Sequence, residues 1–180
     1  MMFSMSKSPL PRALAEIVGS KSFPALALLG LANFIIVGAW TFQLVGGLAP
    51  CALCLEQRVP WYLLILAGSA LSYGVMNAWP RQALVGLFAV AAVLAIWAAH
   101  GGLFHAGVEY KWWPGPSTCT TGGAVLDPTL DLEQLGKTQV PMCDVVPWSL
   151  FGISLAGFNF LFSLFGLGLA LLGLRRALKG

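Results

Sequence analysis

Four stretches of the chain carry no Asp, Glu, Lys or Arg over about twenty residues or more: residues 24–45, 59–78, 82–104 and 148–174. A helix of ~20 apolar residues crosses the ~30 Å hydrocarbon core of a bilayer. There the backbone must satisfy its own hydrogen bonds, so four helices are expected. The fold class that follows is an all-α membrane protein, a four-helix transmembrane bundle forming one domain over residues 1–180. Composition agrees. Only 9% of residues are charged and the mean hydropathy is +0.80, whereas a soluble domain carries about 25% charged residues. A freely soluble or disordered chain is excluded on that ground. The spans are rich in Gly, Ala and Leu, and small residues let helices approach closely in lipid.

Spans two and three are joined only by the turn Trp79-Pro80-Arg81, so the longer outer loops are residues 46–58 and 105–147. With a cytoplasmic N-terminus, the inner side carries Lys7, Arg12, Lys21, Arg81, Arg175, Arg176 and Lys179. The outer side then carries Arg58, Lys111 and Lys137. That excess of Lys and Arg directs both termini inward. The net charge of +3 is too small and too dispersed to attract nucleic acid. The first apolar run is too long for the ~7–15-residue core of a signal peptide. Pro50 directly before Cys51 argues against lipoprotein cleavage. The segment Leu126–Leu135 spaces four leucines among acids, as a short amphipathic helix at the membrane surface would.

All four cysteines, Cys51, Cys54, Cys119 and Cys143, fall on the outer side. In a bacterium that side is the oxidising periplasm, where disulfides persist. Four cysteines allow three pairings, and local spacing favours Cys51–Cys54 and Cys119–Cys143. Cys51-Ala52-Leu53-Cys54 is a C-x-x-C, a redox pair when one thiolate is stabilised. Cys54 stands where span two begins, so helix N-terminal amides are expected to face its sulfur. Arg58, four residues on, would share its face. An arginine at the membrane edge is a functional candidate by default. A zinc site on the four cysteines is disfavoured, because Cys119 and Cys143 lack the two-to-four-residue spacing of a zinc knuckle.

These residues, with three further segments, resemble the DsbB family of membrane disulfide-bond formation proteins. The likeness runs from span one to span four. Its pieces are Pro50-Cys51-Ala52-Leu53-Cys54-Leu55-Glu56-Gln57-Arg58, His105-Ala106-Gly107-Val108-Glu109, Trp113-Pro114-Gly115-Pro116-Ser117-Thr118-Cys119, and Cys143-Asp144-Val145-Val146-Pro147-Trp148. The resemblance implies a quinone-dependent thiol oxidase of the bacterial inner membrane, with both termini cytoplasmic and its cysteines periplasmic. Such proteins reoxidise a periplasmic thioredoxin-fold oxidase of the DsbA type and pass the electrons to ubiquinone or menaquinone. By motif match, Cys119 is the sulfur attacked by the reduced partner and Cys143 its resolving mate. Cys51 exchanges with that pair, and Cys54 faces the quinone. Arg58 stabilises developing negative charge there, and His105 stands where family members can have a quinone-neighbouring histidine.

Some positions carry no such expectation. His100 has no motif behind it, and Trp112, Trp113 and Trp148 fit an interfacial aromatic belt, with a wall of a quinone pocket the alternative for Trp113 or Trp148. Better-known members often have an aromatic residue and then Glu before the arginine. Here Leu55-Glu56-Gln57-Arg58 leaves Glu56 out of register, and the Cys119–Cys143 segment departs enough that partner choice does not transfer. Three other readings stand beside the oxidase. One is a small membrane scaffold with structural disulfides, which would resist reduction. Another is a paralogue serving a dedicated oxidase partner. The third, a vitamin K epoxide reductase-like protein, would place its C-x-x-C late in the bundle rather than before span two.

Overall fold

A computed structural model describes Ser20, residues 22–120 and residues 142–179. Lys7, Arg12, Lys21, Lys137 and the proposed surface helix at Leu126–Leu135 lie outside the described residues. Its helices are α1 (Phe23–Leu44), α2 (Ala52–Glu56), α3 (Arg58–Met76), α4 (Arg81–Glu109), α5 (Ser117–Thr120) and α6 (Leu155–Lys179). A two-stranded ribbon, β1 (Ser149–Leu150) and β2 (Ile153–Ser154), precedes α6. Four spans are long and apolar enough to cross a membrane: α1, α2–α3 together, α4 and α6. They pack in the ring α1–α3–α4–α6, with the α4–α6 seam the most extensive. This is the four-helix membrane bundle that the sequence predicts.

The buried faces carry mostly small residues around a few large ones. Ala25, Ala32, Ala91 and Ala98 surround Leu28, Trp61, Leu64 and Leu71. Large apolar side chains such as Phe34, Leu66 and Val93 point outward. In water that arrangement would be inverted; in lipid it is expected, because close packing and not apolar burial holds the helices together. At Gly102 the seam brings backbone against backbone, and an added Cβ would lie 2.7 Å from the backbone nitrogen of Phe160.

Span two starts at Ala52 rather than at residue 59, α6 runs to Lys179 rather than Leu174, and two further boundaries that bear on the site differ from those read off the sequence. The third span was expected to end at Phe104, with His105 in a loop. Instead α4 continues through Glu109, and the side chains of His105 and Glu109 turn into the protein. Polar residues that break an apolar run do not end a helix when they find partners inside. The fourth span was expected from Trp148. The helix begins at Leu155, because Phe151 and Gly152, at φ 52° and 77°, form the two-residue turn of a hairpin pairing Ser149 with Ser154. Two positive-φ residues match the twist of such hairpins. Neither residue is charged, so the turn was hidden in the apolar run.

Pro60 explains the break between α2 and α3. It has no N–H to offer the carbonyl four residues back, at Glu56, where α2 ends. At the other end of the bundle, Arg81 donates to the Ala177 carbonyl at 3.1 Å, and Arg176 donates to that of Ser20 at 2.6 Å. Basic residues thus tie the last turn of α6 to the α3–α4 turn and to the start of α1.

Candidate functional site: a dithiol, a disulfide and an apolar cavity

The residue that caps α2 is Cys51, not Cys54. Cys51 is extended (φ −77°, ψ 173°), and its sulfur accepts the Cys54 N–H at 3.2 Å. Cys54 lies a turn inside the helix, so the terminal amide expected at its sulfur is directed at Cys51. The two sulfurs are 2.8 Å apart, and both cysteines are thiols. The adjacent Cys54 sulfur, together with burial, holds the Cys51 thiol well above its ordinary range.

Cys119 and Cys143 form a disulfide, with Cα atoms 5.2 Å apart. Cys51, Leu53, Val108, Cys119 and Cys143 make one apolar cluster, each no more than 7% exposed, with Phe104 and Trp113 packed against it. The two cysteine pairs are therefore neighbours. His105 stands between them. Its Nε2 is 3.7 Å from Cys51 Sγ and 3.2 Å from the Cys143 carbonyl. Lys111 secures the same segment by hydrogen bonds to the Asp144 carbonyl and carboxylate, which hold the Asp144 carboxyl below its ordinary range.

Cys54 opens on a cavity of about 400 Å³ between α1, α3 and α6. Its walls are mostly apolar and aromatic, with Phe42 tilted against Trp148 at 5.0 Å and Trp148 beside Phe158. Arg58 also lines it. Its guanidinium donates to Gln43 Oε1 at 2.7 Å and to the Ala39 carbonyl at 3.4 Å, and it lies over Trp40. Those partners are neutral, so they orient the cation without cancelling its charge. A smaller cavity lies on the other side of the dithiol, walled by Met142 and Val145, and Cys54 and His105 line both. Trp148, one of the belt tryptophans, belongs to the large cavity. Trp113 instead donates to the Phe104 carbonyl at 2.9 Å, and its ring covers Gly107. His100 is exposed and stacks on Phe104, while Glu56 is exposed beside the site.

Five residues of the site were missed: Gln43, Gln57, Trp61, Glu109 and Asn159. Asn159 sits within an otherwise apolar span, and a polar residue there was a readable signal. Gln57 is buried and bridges His105 to Asn159. Glu109 is buried one turn from His105 and accepts a hydrogen bond from Ser154. As for metals, the sequence argument weighed four cysteines. Among the described residues, the ligand atoms that converge are those of Cys51, Cys54 and His105, within 4.8 Å of one another. His105 Nε2 faces a carbonyl oxygen, which can only accept, so this nitrogen carries a hydrogen and offers no lone pair to an ion.

The family model for disulfide bond formation protein DsbB matches residues 21–173. A curated relative from Verminephrobacter eiseniae (strain EF01-2), named Disulfide bond formation protein B, is 33% identical over 164 residues, covering 86% of this chain and 87% of the relative. No solved structure gives a significant match.

Proposed function

Because the chain belongs to the DsbB family of disulfide bond formation proteins, we propose that it is a quinone-dependent thiol oxidase. It reoxidises a periplasmic DsbA-type dithiol protein and delivers the electrons to ubiquinone or menaquinone in the inner membrane. The observation that carries this reading is the adjacency of two cysteine pairs in one apolar cluster, with Cys54 opening on the large cavity. The partner's thiolate attacks Cys119, and Cys143 leaves. The partner's second thiol then displaces Cys119, so two electrons enter the pair. Exchange with Cys51–Cys54 moves them inward and restores Cys119–Cys143.

The cavity suits a quinone ring. Its volume falls in the ~300–1,000 Å³ range of small-molecule sites, its aromatic walls match a flat apolar body, and Arg58 offers charged donors to a polar edge. A quinone held there supplies a two-electron, two-proton acceptor. Arg58 contributes fixed positive charge in a water-poor site, where such charge stabilises a developing anion most. Glu109 and His105 line the same wall 3.9 Å apart and are groups able to exchange protons with the dithiol side of the cavity.

The test is a reconstituted assay of the detergent-purified protein with a reduced DsbA-type protein and a ubiquinone analogue, followed by quinone absorbance. Wild type is expected to turn over, and Cys54→Ser is expected to stop turnover while remaining inserted. Normal turnover in Cys54→Ser would end the proposal. A wild type silent with both ubiquinone and menaquinone analogues, its cysteines inert to the dithiol, would make the disulfides structural.

A further inference from the structure

From Trp61 to Cys143 runs a chain of hydrogen bonds with only one possible direction. Trp61 Nε1 lies 2.7 Å from Asn159 Oδ1, Asn159 Nδ2 lies 2.6 Å from Gln57 Oε1, and Gln57 Nε2 lies 2.6 Å from His105 Nδ1. An indole N–H can only donate. The Asn159 atom facing it must therefore be oxygen, which turns the Asn159 amide nitrogen toward Gln57. The Gln57 atom that meets it must be oxygen in turn, leaving its nitrogen toward His105. That nitrogen also donates to the Leu53 carbonyl at 3.3 Å, a second and independent pin. His105 Nδ1 must then accept, which makes the ring neutral with its hydrogen on Nε2. The Cys143 carbonyl facing Nε2 at 3.2 Å demands the same.

We propose that Trp61, Asn159 and Gln57 are positioning residues that fix the tautomer of His105, so that its Nε2–H is held as a donor between Cys51 Sγ and the Cys143 segment. The kinetic half of this inference rests on the exchange proposed above; the tautomer half stands without it. In that exchange the Cys143 thiolate attacks Cys51 Sγ. The Cys51–Cys54 bond breaks, and Cys54 leaves with the electron pair. The Cys119 thiolate then attacks Cys143 Sγ, closing Cys119–Cys143, and Cys51 leaves with the electron pair. Two thiols become a disulfide and one disulfide becomes two thiols. Cys51 departs as an anion in an apolar cluster, 3.7 Å from His105 Nε2. A ring with its hydrogen on Nδ1 would turn a lone pair toward that anion.

The isosteric variant Asn159→Asp reverses the chain. Its carboxylate accepts from Trp61 and also from Gln57. An ionised carboxylate is a stronger acceptor than the neutral Leu53 and Cys143 carbonyls, so the Gln57 amide turns its nitrogen to that carboxylate and its oxygen toward His105, and the hydrogen moves to Nδ1. The chain has two histidines, so nitrogen NMR of the full-length, ¹⁵N-histidine-labelled protein in detergent reads the tautomer directly, with His100→Gln assigning the other ring. The wild type is expected to carry the hydrogen on Nε2 and Asn159→Asp on Nδ1. Trp61→Phe, which keeps the aromatic bulk and removes one pin while the Leu53 and Cys143 carbonyls remain, is expected to add a minor Nδ1–H population and serves if Asn159→Asp does not fold.

Rapid mixing of the fully oxidised protein with excess reduced dithiol partner, without quinone, gives the kinetic reading. The first equivalent consumed reports Cys119–Cys143, and the second reports exchange with Cys51–Cys54. Asn159→Asp is expected to leave the first phase unchanged and to slow the second about tenfold or more, as for loss of a hydrogen bond to a charged group. A wild-type hydrogen on Nδ1, or a tautomer unmoved in both variants, overturns the inference. A switched tautomer with an unchanged second phase overturns its kinetic half. If the wild type shows neither phase, the exchange reading fails and the spectrum still decides the tautomer.

Discussion

Arg58 shows how one side chain can be tethered and still act elsewhere. Gln43 and the Ala39 carbonyl take its hydrogens, the Trp40 ring takes its face, and the cavity receives its charge. Arg58→Met keeps much of the aliphatic stem and removes donors and charge. Turnover with a quinone analogue is expected to fall about 10²-fold, the scale for removing one donor from a developing anion. Entry of electrons from a dithiol partner into Cys119–Cys143 should not change, because Arg58 stands on the far side of Cys54. Comparing steady-state quinone reduction with the first phase of dithiol oxidation measures both, and an equal loss in the two would remove Arg58 from this role. The cysteines and Arg58 were legible in the sequence because C-x-x-C-x-x-x-Arg is a local pattern with a local chemical reason. The setting of His105 was not. Its partner Gln57 and the Asn159 that holds Gln57 are 48 and 54 residues away in the chain and become visible only when α3, α4 and α6 are packed.

The helices place the site, and the α4–α6 seam is where that placement is most exposed to error. His105 is one turn beyond Gly102 on α4, and Asn159 precedes Phe160 on α6. The close approach of Gly102 to Phe160 therefore sets the spacing across which Gln57 bridges. A Cβ at Gly102 would meet backbone, which cannot rotate away. Gly102→Ala is expected to cost about 1–3 kcal/mol of overpacking and to lower the thermal midpoint of the detergent-solubilised protein. Gly30→Ala is the control: the same change in α1, with nothing within 4 Å of the added carbon, should be neutral or slightly stabilising. Equal melting of the two variants would mean that the seam is not the tight contact described. The four spans could be read from charge-free length alone, since lipid forces helix on any such run. Their ends could not. His105 and Glu109 are polar yet buried, and Phe151-Gly152 is apolar yet a turn, so hydropathy misplaced both boundaries for opposite reasons.

On the scale of the whole molecule, the two ends of the bundle differ in kind. One gathers Arg81, Arg175, Arg176 and Lys179 with the start of α1; the other gathers the four cysteines, His105 and the hairpin. Lys and Arg near span ends resist translocation, so the first end should remain cytoplasmic and the cysteines should reach the periplasm. After phosphine reduction, a membrane-impermeant maleimide is expected to label the protein in right-side-out vesicles and to leave it unlabelled in sealed inverted ones. Masses of tryptic peptides would report which cysteines react. The opposite sidedness would be decisive against the proposed function. It would put the Cys119–Cys143 disulfide in a compartment where glutathione and thioredoxin keep thiols reduced. A pair held reduced there cannot accept electrons from a dithiol partner, however well the cavity holds a quinone.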